Sequence, residues 1–214
     1  GGMVAGADSI DDMRLLRQMG RLFARTYSPS TLGSFLRSFR FGHVRQLDAV
    51  AARFLGGLAA RSPLLAGAGT VLVDVDDTII EVHGYAKQAA GYGYTRVRGL
   101  NIQLATVSTP LAAPVIARAR LRKGSTASAT GAGRLLAQAI GTARAAGVRG
   151  RILCRADSAY YGWAFVGTAI RRKAWFYVTA RMNPAVVKAI ASIAEDAWNA
   201  LKYSDAVYDE AEER

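Results

Sequence analysis

A chain of 214 residues, 51% hydrophobic and 21% charged, can build one full domain with a real core, which excludes wholesale disorder. Its 28 basic and 16 acidic residues leave a net charge of +12, and the single cysteine, Cys154, excludes an intrachain disulfide. No run approaches the roughly 18 apolar residues of a membrane span, and no signal peptide is evident, so a cytoplasmic protein with no membrane partner is expected.

Residues 8–62 read as helical. Asp8 or Ser9 can cap a first helix running to about Arg25, with Ile10, Met13, Leu15, Leu16 and Met19 near helical spacing. Tyr27-Ser28-Pro29 breaks it, and Ser30 opens a second helix carrying Leu32, Phe35, Leu36 and Phe39. After Gly42 a third helix carries Val44, Leu47, Val50, Ala51, Phe54 and Leu58. The pair is expected to pack as an ordinary bundle on the rest of the chain; a helix-turn-helix is the alternative. Residues 62–69 form a linker rich in Gly and Ala.

VLVDVDDTII, residues 71–80, then reads as a buried strand ending in three carboxylates, Asp74, Asp76 and Asp77. Residues 83–99 are rich in Gly and Tyr and read as a loop or wide hairpin; GYGY lacks the strand and helix that a phosphate-binding loop needs. Strands are expected over Asn101–Val107 and Ala113–Leu121, and a helix over Ala129–Ala146 broken by Gly147. RILCRADSAYY, residues 151–161, repeats the grammar of the first strand and leads into Asp157. A helix over Trp163–Lys173, a buried strand over Trp175–Ala180 and a last helix from Pro184 to about Ala194 follow. The order β, β, β, α, β, α, β, α is an α/β pattern with a mixed sheet. Trp163, Trp175 and Trp198 are expected in the core, as is Cys154.

The charge is localised. No Asp or Glu occurs from Val82 to Ala156, a stretch holding twelve cations, while the remainder balances at 16 against 16. A basic surface between two acidic strand ends suits a long polyanion, with nucleic acid the commonest one; an ordinary solvated basic face is the alternative. Within and beside the stretch, Arg96, Arg98, Arg118, Arg120, Arg122, Lys123, Arg155 and Arg181 are the expected DNA contacts. For Arg155 a structural salt bridge is an equal reading. His43 and His83 are poorly accompanied and do not argue for zinc.

Carboxylates converging from two strands suit hard Mg²⁺ or Mn²⁺ and nucleotidyl transfer, because two closely spaced ions can stabilise both oxygens of an in-line displacement. Asp76 and Asp157 are the candidate pair. The pattern D-x-D-x-T, Asp74 to Thr78, also resembles the first motif of haloacid-dehalogenase-type phosphatases, where Asp74 would be nucleophile and Asp76 acid/base. That family expects a later paired-acid motif, and Asp157 is followed by Ser-Ala-Tyr-Tyr instead.

DVDDTIIEVHG, GYTRVRGLN, RADSAYYG and YVTARMNP together resemble the group 1 DDE-domain transposases of bacterial insertion sequences, as does the upstream SPSTLGSFLRSFRFGHVRQLD. The resemblance runs from about Ala5 to Tyr208. It implies an RNase H-like core, a mixed sheet flanked by helices and preceded by a small helical region. It also implies a Mg²⁺- or Mn²⁺-dependent site and cutting and transfer of DNA ends. Asp76 is then the first catalytic aspartate and Asp157 the second, both metal ligands, with Asp74 and Asp77 as further candidates for the first position. The partners implied are terminal inverted repeats and target DNA, bound by a homo-oligomer near the bacterial nucleoid. Residues 1–66 form the helical region, 67–194 the core, and 195–214 the start of a following segment. The family needs a third acid, a Glu after the last core strand. Glu195 is the nearest offer, but an acid beyond Arg214 is expected, and with Gly1 not being a start residue the chain is expected to be an inactive fragment. A catalytically inactive DNA-binding module is the non-enzymatic alternative.

Overall fold

The computed structural model describes residues 6–7, 9–18, 26–62, 65, 69–84, 86–110 and 112–199. In chain order it contains α1 (Met13–Gln18), α2 (Pro29–Arg37), α3 (Phe41–Ala59), β1 (Thr70–Glu81), β2 (Gly91–Tyr92), β3 (Arg98–Thr109) and β4 (Ala112–Lys123). Then follow α4 (Ala132–Ala145), β5 (Arg151–Ala156), α5 (Trp163–Arg171), β6 (Trp175–Val178) and α6 (Pro184–Ala191).

The sheet runs β4-β3-β1-β5-β6, with β2 extending the β4 edge at the start of β3. The first three strands are an antiparallel meander, and β5 and β6 add in parallel through helical crossovers. Alternation decides the faces. Val71, Val73 and Val75 of β1, Ala105 and Val107 of β3, and Ile152 and Cys154 of β5 are fully or almost fully buried. Helix α4 covers that face with Leu135, Leu136, Ala139, Ile140 and Ala143, an i, i+1, i+4, i+5, i+8 stripe. Ala, Leu, Gln and Arg favour the helix. It ends where Gly147 takes φ +99, letting the Val148 N–H reach Ala143 and the Gly147 N–H reach Arg144. Helix α5 lies so close to α4 that a Cβ on Gly133 would collide with the Ala164 carbonyl oxygen.

Several expectations change. The first strand runs on to Glu81, so Asp74, Asp76 and Asp77 lie mid-strand, not at its end. Of the loop or wide hairpin expected over 83–99, the hairpin is the form observed, with the short strand β2 pairing antiparallel to the start of β3. The first helix covers only Met13–Gln18 among the described residues, and its predicted continuation through Arg25 lies outside them. On α3 the stripe Val44, Leu47, Val50, Phe54 and Leu58 faces outward, whereas Leu55 and Ala59 join the core. The 3.6-residue pattern gives the helix but not which side it docks, and here an ion pair of Asp48 with Arg118 (3.0 Å) fixes that side. Strand β6 is an exposed edge rather than a buried strand, and Trp163, Trp175 and Trp198 are exposed rather than core. Trp175 instead lies under the Arg151 guanidinium, 4.0 Å from its ring centroid.

Candidate active site

Register brings the two predicted aspartates together. In the parallel β1/β5 pair the last partners are Asp74 and Arg155. Two residues further along the chain in each case stand Asp76, still on β1, and Asp157, just past the end of β5. Neighbouring strands stand about 4.8 Å apart. β5 ends at Ala156, which frees Asp157 to cap a short 3₁₀ turn, Ser158–Tyr160, by accepting from the Ala159 N–H at 3.0 Å. Asp76 accepts from the Asp77 N–H at 2.8 Å. Each carboxylate therefore has one oxygen held by the backbone, and neither Oδ2 has a partner among the described residues.

Both aspartates line one open cleft of about 500 Å³, with Tyr94 and Arg181 on its rim and residues 127–129 as a wall. A more open depression of about 360 Å³ also contains both, beside Tyr177 and Thr179. Two free, hard oxygen donors fit a divalent cation of the Mg²⁺ or Mn²⁺ type. No group of three acidic, His or Cys side chains converges on a metal position among the described residues, and Glu195, in an exposed 3₁₀ turn, does not line the cleft.

Asp74 and Asp77 are both engaged by other side chains in this fold. Arg155 grips Asp74 at both oxygens, Nε–Oδ1 2.6 Å and Nη2–Oδ2 3.0 Å, which holds the Arg155 proton more tightly than usual. Asp77 points to the opposite face, where its side chain is 3% exposed. It accepts from the Tyr160 hydroxyl at 2.7 Å, from the Asn101 amide, and pairs with Arg122 at 3.3 Å. Burial would raise its carboxyl, but hydrogen bonds from Asn101, Ser128 and Tyr160 and the charge on Arg122 outweigh it and hold the group below the usual range. Burial, then the bond to Asp77, pushes the Tyr160 hydroxyl up.

The expected DNA contacts divide. Arg118 pairs with Asp48 and donates to Thr142 at 2.9 Å; Arg120 donates to Gln138 at 2.9 Å; Arg122, 7% exposed, serves Asp77 and Asn101. These three each have partners within the chain, and Arg155 makes the salt bridge that is its equal reading; composition alone does not give these partners because the fold chooses them. Arg98 donates to the carbonyls of Val82 (3.4 Å) and Gly84 (2.9 Å). Arg96, Lys123 and Arg181 are exposed. His43 accepts from the Arg40 N–H at the start of α3, and Cys154 is buried, its thiol pushed up to about 12 by burial and the Asp74 charge. Sequence reasoning missed Asn101 and Gln103, polar residues buried on the core face of β3; their position in an otherwise apolar alternation was the available signal.

An antiparallel meander followed by two parallel strands, with carboxylates on the central strand and on its parallel neighbour, defines an RNase H-like α/β domain. Residues 2–213 match the family model described as Transposase DDE domain group 1. The chain belongs to that family. No curated protein matches it. Solved structures that resemble it include "Mos1 transposase paired-end complex with left transposon end", at 13% identity over 81% of this chain and 60% of that one, TM-score 0.34. "Crystal structure of the Mos1 Strand Transfer Complex" matches at 15% identity over 88% and 66%, TM-score 0.30. "Crystal structure of the Mos1 mariner paired end complex with Mn" matches at 13% over 86% and 64%, TM-score 0.31. The chain thus spans about 60% of the length of the first of these.

Proposed function

We propose that the chain is the core of a DNA transposase of a bacterial insertion sequence, in which Asp76 and Asp157 hold the divalent ions that support cleavage of DNA ends and strand transfer. The observation that carries this reading is that one carboxylate from β1 and one from just past the end of its parallel partner β5 share a cleft, each with an oxygen free. A Mg²⁺ or Mn²⁺ ion bound there supplies the positive charge that an in-line displacement at phosphorus requires. The chain's own residues orient the substrate. The backbone N–H groups of Asp77 and Ala159 fix the rotation of the two carboxylates. Arg181 offers a charge to a phosphate and Tyr94 an exposed ring to an unstacked base, both at the cleft. Residues 1–66 act as the helical region, 67–194 as the catalytic core, and 195–214 lead into a following segment. DNA ends, target DNA and a second copy of the protein on DNA are the partners, met in the bacterial cytoplasm at the nucleoid; no helix among the described residues is long and apolar enough to cross a membrane.

The phosphatase reading loses its nucleophile, because Arg155 occupies both Asp74 oxygens. Mn²⁺ titration followed by electron paramagnetic resonance, with salt-dependent duplex binding alongside, separates the rest. Loss of Mn²⁺ binding in both Asp76→Asn and Asp157→Asn supports the transposase site. Salt-sensitive DNA binding with Mn²⁺ uptake indifferent to either change supports an inactive binding module and refutes it.

A further inference from the structure

We propose that Asp77 is a positioning residue: from the buried face it ties the turn carrying Asp157, and the loop walling the cleft, to the strand that carries Asp76. The inference rests on the reading of Asp76 and Asp157 as the ligand pair and adds what sets their spacing. Asp76 and Asp77 are adjacent on β1, so their side chains leave opposite faces. Cross-strand register places Asp77 beside Gln103 on β3; it borders the cleft, with its carboxylate turned to the buried face.

Two tethers leave Asp77. The first goes to Tyr160, whose hydroxyl donates to Oδ1 at 2.7 Å. Tyr160 closes the 3₁₀ turn that Asp157 caps, its ring is buried against Phe165 with centroids 6.2 Å apart, and its N–H bonds back to the Asp157 carbonyl at 3.2 Å. A rigid aromatic side chain thus runs from the Asp157 turn to the residue next to Asp76. The second tether is Arg122. It pairs with Oδ2 at 3.3 Å, and its Nη1 donates to the carbonyls of Ala127 (3.3 Å), Ser128 (3.1 Å) and Thr130 (2.7 Å). Gln103 adds a bond to the Ser128 carbonyl at 2.8 Å. Ala127, Ser128 and Ala129 line the same cleft as Asp157 and its turn. One buried carboxylate therefore anchors both sides of the site. Partners that orient metal-binding carboxylates act this way without touching the ion.

Tyr160→Phe tests the first tether while keeping the ring packed, and Asp77→Asn tests both; the Phe variant guards against a folding failure of the Asn variant. Hydrogen exchange on the ion-free chain reads the tether directly. The Ala159 and Tyr160 amides are expected to exchange about tenfold or more faster in Tyr160→Phe, the cost of one bond to a charged group, while β5 and α4 amides keep their rates. Unchanged exchange at those two amides overturns the proposal. In Mn²⁺ titrations Tyr160→Phe is expected to bind roughly tenfold more weakly than the natural chain. Equal affinity in a folded Tyr160→Phe also overturns it. Failure of the underlying ligand assignment has its own signature, Mn²⁺ uptake unaffected by Asp76→Asn and Asp157→Asn, and the exchange rates still decide the tether in that case.

Discussion

Replacing Asp48 by Ala should unlatch α3 from the sheet. The Asp48 carboxylate lies 3.0 Å from the Arg118 guanidinium and 3.2 Å from that of Arg45, and the Asp48 and Arg118 side chains are each 15% exposed. Removing one partner of a buried pair costs about 3–5 kcal/mol, because the other charge is left in low dielectric. Here some water reaches the pair, and Arg118 keeps its bonds to Thr142 (2.9 Å) and to the Asp48 carbonyl (3.3 Å). These reduce the expected loss to roughly 2–3 kcal/mol. For a chain of this size that is a fall in Tm of about 5–10 °C. Urea unfolding of Asp48→Ala, Arg118→Met and the double variant measures it. The double variant should lose less than the two singles summed, by about 1 kcal/mol or more, since the uncompensated charge goes with Arg118. A loss below about 0.5 kcal/mol in Asp48→Ala, the level of a surface pair, would refute the claim that this contact docks α3.

Gly133→Ala should destabilise by about 1–3 kcal/mol, as overpacking does, because the new methyl meets the Ala164 carbonyl and Thr168 on α5; calorimetry showing no change would mean the two helices are further apart than described. Cys154 should resist alkylation at pH 8 until the chain unfolds, its thiol being fully buried and raised to about 12 from 9.0. Its contribution to stability is full below pH 9.0 and is lost as pH rises through the folded value, because the unfolded thiol ionises first; labelling of the native chain at pH 8 as fast as in denaturant contradicts this. Arg181→Ala should lower the salt slope of duplex binding by about 1, whereas Arg118→Met should leave it unchanged. Titrations giving equal slope changes would show that Arg118 also faces DNA.

Much was legible in one dimension because it is local. Alternating apolar residues at 71–75 and 152–154 mark strands, and Gly147 with the Leu-Leu-x-x-Ala-Ile spacing marks α4 and its end. The acid-free basic stretch and the two aspartates are equally visible. Which aspartates share a cleft follows from a pairing register across 81 positions of chain, and only the tertiary structure decided it. Asp74, Asp76 and Asp77 are indistinguishable as letters. The fold separates them by setting Arg155 beside Asp74 and by turning Asp77 into the core to meet Tyr160 and Arg122. The same holds for the arginines: charge is a property of the residue, but its availability depends on which carboxylate or carbonyl the fold places within a hydrogen bond. Periodicity likewise predicts that α3 is a helix, while the side that docks depends on Arg118, seventy positions away. Local propensity and alternation determined the elements of this protein; long-range pairing, which no short window contains, decided the site.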